Sequence, residues 1–101
     1  MKVDLLVRIV FNMEDPAKTV IKTNATHEGV EEFLDAFIRG QLGAGADESI
    51  ANDKVEYHVD IALDLSDDSI VVKSDTGNKG LVCGIVMQVL RDLGSIKIES
   101  L

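Results

Sequence analysis

Cysteine is nearly absent from this chain. Cys83 stands alone, so no intrachain disulfide and no zinc site built on cysteines can form. There is no tryptophan, and the aromatic residues are only Phe11, Phe33, Phe37 and Tyr57. This excludes the stacking platforms that hold single-stranded nucleic acid and predicts a core of aliphatic side chains. Positive charge is scarce too: 10 Lys and Arg stand against 18 Asp and Glu, a net charge of −8. A surface of that sign repels a phosphate backbone, so no nucleic-acid partner is expected; the acidity reads as a means of staying soluble. The longest apolar run, Leu81 to Leu90, is too short to span a bilayer, and the N-terminus carries Lys2, Asp4 and Arg8 in place of a signal peptide. The expected setting is cytoplasmic, with no membrane partner. The sequon at Asn24-Ala25-Thr26 is then a chance match.

What is present is a repeat. Adding 52 to the residue number superposes Val3, Val7, Ile9 and Asp15 on Val55, Val59, Ile61 and Asp67. Adding 51 superposes Val20, Lys22, Gly29, Leu42 and Gly43 on Val71, Lys73, Gly80, Leu93 and Gly94. Each copy opens with period-two alternation. Val3, Leu5, Val7, Ile9 and Phe11 in one copy, and Val55, Tyr57, Val59, Ile61, Leu63 and Leu65 in the other, are expected to face a core. A polar turn follows, at 14–18 and at 66–69, then a short strand, Thr19 to Thr23 and Ile70 to Ser74, completing two hairpins. Apolar residues at helical spacing come next: Val30, Phe33, Leu34, Phe37, Ile38 and Leu42, then Leu81, Ile85, Val89 and Leu93. Thr26 is the expected N-cap of the first helix, and Gly43 and Gly94 the expected stops.

At 101 residues the chain predicts a single α+β domain, 1–101. Two ββα repeats, 3–44 and 55–95, make a two-layer sandwich: an antiparallel sheet of four or five strands with both helices on one face. Crossover connections between the copies give a permuted ferredoxin-like plait. The rival arrangement sets the units side by side without crossover. Residues 96–100 form a last short strand, at a sheet edge or against another chain. The linker Ala44 to Asp53 is expected to hold a helical turn around Asp47 to Ala51.

The copies differ in their helices. Glu31, Glu32 and Asp35 become Val82, Cys83 and Val86, and Phe33 becomes Gly84. The second helix is then apolar nearly all round and must be covered on both sides. Three covers offer themselves: the linker carrying Ile50, the C-terminal strand, or a second copy of the chain approaching closely at Gly84. The last reading makes Val82, Cys83, Val86, Met87 and Leu90 the interface of a homodimer, or of a complex with another protein.

Chemistry-bearing motifs are sparse. Thr76, Gly77, Asn78, Lys79 and Gly80 leave a strand and open a helix, where amides, the helix dipole and Lys79 suit a small anion or nucleotide; the spacing matches neither a P-loop nor a dinucleotide fingerprint. Strand–helix turns also use Gly and Asn for capping alone. Asp64, Asp67 and Asp68 offer oxygens to a divalent cation but lack EF-hand spacing. His58 sits between Glu56 and Asp60 on an outward strand face, and His27 opens the first helix. Neither shows the cleft and partner that acid–base chemistry needs. Cys83, in an apolar setting, reads as an inert packed thiol. No catalytic constellation is visible and no cofactor is implied. The expected function is that of a small, acidic, non-enzymatic interaction module that self-associates.

Overall fold

The computed structural model describes residues 3–41 and 55–101. The expected linker helix and the Gly43 stop lie outside them. Strands β1 (Leu5–Asn12) and β2 (Val20–Thr23) form the first hairpin, joined through a 3-10 turn at Pro16–Lys18. Helix α1 (His27–Gly40) follows. Strands β3 (Glu56–Asp64) and β4 (Ser69–Ser74) form the second hairpin, and helix α2 (Lys79–Arg91) follows that. A 3-10 turn at Leu93–Ser95 leads into strand β5 (Lys97–Ser100).

The five strands form one mixed sheet in the order β4-β3-β1-β2-β5. All neighbours are antiparallel except β2 and β5, which are parallel. The expected antiparallel sheet is thus corrected at its last strand. The strand order also differs from a permuted ferredoxin-like plait, in which the second strand of each hairpin would be central. Here the first strands, β1 and β3, take the centre. They are the longest, at 8 and 9 residues, and their inward Val7, Ile9, Val59 and Ile61 are completely buried. Long strands with strong alternation gain most from neighbours on both sides. Their register pairs Val7 with Ile61 and Ile9 with Val59. Those pairs interchange under the offset of 52 that relates the two halves of the sequence.

Both helices pack on the face built from Val7, Ile9, Phe11, Ile21, Tyr57, Val59 and Ile61, and one apolar cluster joins the layers. From α1 come Val30, Phe33, Leu34 and Phe37; from α2 come Leu81, Val82, Ile85, Val86 and Val89. The connections explain the unequal burial. Helix α1 runs from a flanking strand back to the centre. Helix α2 runs from β4 at one edge of the sheet to β5 at the other, so it lies over the sheet and beside α1. Thr26 caps α1 as expected, its hydroxyl accepting from the Gly29 amide at 3.1 Å. Helix α2 ends at Arg91, capped at Asp92. Gly94 falls in the following 3-10 turn and not at a left-handed stop.

Alternation outruns the strand at one place. Leu65, expected to face the core, is 68% exposed because β3 ends at Asp64 and the hairpin turn begins. Val3 and Val55, ahead of their strands, are exposed as well. No helix among the described residues is long and apolar enough to cross a membrane.

Candidate functional site

Helix α2 starts where the chain leaves β4, and its first turn is capped from within. The Asn78 side chain accepts from the Leu81 amide at 2.8 Å. The Ser74 hydroxyl accepts from the Thr76 amide at 3.3 Å, and the Thr76 hydroxyl from the Asn78 amide at 3.2 Å. Short polar side chains bonded to nearby amides hold such a loop without help from regular structure. Several amides that an anion would need are therefore occupied. Those of Gly77, Lys79 and Gly80 have no protein acceptor among the described residues.

Beside this loop lies an open cleft of about 520 Å³. Thr76, Gly77, Asn78 and Lys79 form one wall, Val72, Lys73 and Ser74 of β4 another, with Val82 and Cys83 of α2 and Phe37 and Gln41 at the end of α1. Gly80 is not part of the lining. A Cβ added at Gly77 would meet nothing within 4 Å, so the glycine leaves the cleft open and is not demanded by packing. The structure thus brings together two groups of residues that stand apart in the sequence argument: the glycine turn, and Val82 and Cys83 of the apolar helix.

The proposed α2 interface looks different in three dimensions. Val82, Cys83 and Val86 are buried within the single chain, on a helix that packs beside α1. Met87 is 39% exposed and Leu90 half-buried. Three of the five expected interface residues are thus buried within the chain; the linker carrying Ile50, one of the covers expected for them, lies outside the described residues. A Cβ at Gly84 would also meet nothing within 4 Å, so the described residues of the chain itself make no close approach there. The Cys83 thiol is pushed up by burial, which keeps it protonated and unreactive.

Exposed apolar surface appears instead on β4. Ile70, Val71 and Val72 are 46%, 38% and 39% exposed. Ile70 and Val72 lie opposite Leu63 and Ile61 on the helix side, and Val71 lies opposite Ala62 on the open side. The helix layer stops short of this strand. Sequence alternation had placed β4 in the sheet correctly but carried no information on how far the helices reach.

The acidic turn is held by its own carboxylates and by Asp4, which accepts from the Leu65 amide at 2.8 Å. Asp64 is buried and accepts from the Ser66 amide at 2.9 Å and the Ser66 hydroxyl at 2.6 Å. Asp67 accepts from the Ser69 amide at 3.0 Å, and Asp68 adopts a left-handed φ of 56°. The carboxylates of Asp64 and Asp67 hold the hairpin turn, as Asp does in such turns. Among the described residues no three His, Cys, Asp or Glu side chains are grouped to hold a metal.

His58 makes contacts that its sequence neighbours did not suggest. Its Nδ1 lies 3.1 Å from Asp75, and its Nε2 lies 3.5 Å from Glu56. The backbone amide of His58 also donates to Asp75, at 3.0 Å. Asp60 pairs instead with Arg8 on β1, at 3.2 Å. The Asp75 contact comes from the β3–β4 register, which places the end of β4 beside His58. This group lies on the open sheet face, outside the cleft.

No family model, no curated protein and no solved structure matches this chain.

Proposed function

We propose that this chain is a small acidic interaction module, non-enzymatic, that works by binding a second copy of itself. The observation that carries the reading is the trio Ile70, Val71 and Val72, exposed on both faces of a strand at the sheet edge. Apolar surface on a strand that, among the described residues, ends its sheet is removed from water by association. The acidic carboxylates engaged in holding the hairpin turn, the neutral Cys83 thiol and the placement of His58 outside the cleft favour binding over catalysis. We read the two halves as copies of one ββα unit; the symmetric β1–β3 register supports that, and it is an instance of the unit pairing with itself. With its acidic surface the module is assigned to the cytoplasm, with a protein and no nucleic acid or membrane as partner.

Sedimentation velocity across the micromolar range tests self-association. A mass twice the 11.0 kDa chain is expected, rising with concentration. A monomer at every concentration ends the proposal.

The cleft favours a second reading, a small-anion or nucleotide site at Thr76, Gly77 and Lys79. Its support is the open Gly77 wall with Lys79 beside it. Ligand-detected NMR with inorganic phosphate and nucleotides, using Lys79→Ala as control, decides it: binding lost in the variant sustains the reading, and no binding removes it.

A further inference from the structure

Resting on the self-association proposed above, we infer that the contact is the outer edge of β4, paired antiparallel with β4 of a second copy about a twofold axis through Val71. Among the described residues β4 ends the sheet on one side and β5 on the other. The two edges are built differently. Strand β5 has four residues and carries the Lys97–Glu99 ion pair at 3.1 Å, charges of the kind that protect an edge. Strand β4 has six, with no charge from Ser69 to Val72.

The main chain is correctly disposed. The Asp75 amide donates to the His58 carbonyl, and pairing has a period of two, so residues 69, 71 and 73 bond to β3. The backbone groups of Ile70, Val72 and Ser74 are then left pointing outward. A twofold axis normal to the sheet keeps each face on its own side, so only residues of the same face can oppose each other.

One register fits the side chains. Centred on Val71, it sets Val71 against itself on the open face and Ile70 against Val72, twice, on the helix face. Lys73 then opposes Ser69 and lies diagonal to Asp67 of the second copy; just beyond the strand, Asp75 stands against Asp67, so like charges meet only outside the six paired residues. Moving the axis to Val72 puts Lys73 against Val71 and Ile70 against Ser74. Moving it to Ile70 sets Lys73 against Asp67 but puts Val72 against Asp68 and Val71 against Ser69, so two of the three apolar residues lose their apolar partners. Val72 also lines the cleft, so in the favoured register the clefts of both copies open toward the seam, where the helix layer is missing. Two five-stranded sheets become one of ten.

Val71→Cys tests the register, since a residue on the axis of a non-hydrogen-bonded pair faces its own copy at about 4.5 Å between Cα atoms, within disulfide reach. Mild oxidation of the full chain is expected to link Val71→Cys into dimers at least about tenfold faster than Leu65→Cys, an exposed position on the same hairpin but outside β4. Val71→Lys, on the open face where folding does not need the valine, is expected to raise the dimer dissociation constant about tenfold or more by opposing two like charges. Circular dichroism confirms that the variant is folded. A wild-type dimer that Val71→Lys leaves intact, with no fast linkage at position 71, overturns the β4 contact while sparing self-association. A wild-type monomer at all concentrations overturns both.

Discussion

Single side chains settle the ends of the elements. Thr26 and Asn78 cap the two helices, one residue apart in the repeat alignment, and Thr23, buried in β2, donates to the Leu6 carbonyl at 2.7 Å while accepting from the Ala25 amide. Such short polar residues announce themselves in sequence because only a few residue types make these bonds. Cys83 is decided by its surroundings instead. Burial holds its pKa above the ordinary value, so the thiol form persists at neutral pH. Labelling with a thiol reagent at pH 7 is expected to be about tenfold or more slower in the native chain than in urea, since the raised pKa leaves less thiolate and burial limits access from the cleft. The folded state keeps this proton longer than the unfolded one. The stability tied to Cys83 is therefore complete below the ordinary thiol pKa and is lost as pH rises above it.

The strands differ in what surrounds them, and the difference is measurable. Ile61 sits on central β3, fully buried under the helices, and Val72 sits beside it on β4, partly exposed. Ile61→Ala is expected to cost about 2–5 kcal/mol by urea unfolding, through lost transfer energy and the cavity left behind. Val72→Ala, measured under conditions where the chain is monomeric, is expected to stay within about 1 kcal/mol because little is packed against it. Period-two patterning made both hairpins legible. It misplaced Leu65 because alternation of residue type does not mark where pairing stops; the hairpin turn does. It also left the strand order open, since both hairpin strands alternate and only their length and burial choose the central pair.

At the scale of the molecule, charge and association oppose each other. Two copies, each of net charge −8, repel by roughly 10 kcal/mol unscreened at about 25 Å, and by a tenth of that or less at physiological salt. An exposed pair such as Lys73 with Asp67 contributes only about 0–1 kcal/mol, so the net repulsion dominates the salt response. Raising ionic strength from about 10 mM to about 150 mM is therefore expected to increase the dimer fraction in sedimentation runs. A decrease would place the binding energy in ion pairs rather than in the apolar seam.

The sequence by itself determined the two hairpins, the two helices, the aliphatic core and the acidic surface, because each is written in local period or composition. It also showed that α2 is apolar all round. Only the tertiary structure decided where that helix lies. Running from one edge of the sheet to the other, α2 buries Val82, Cys83 and Val86 within the chain and stops short of Ile70 and Val72. The exposed apolar surface thus passes from the helix to the edge strand. Burial depends on which elements are neighbours in space, and no period in one segment records that.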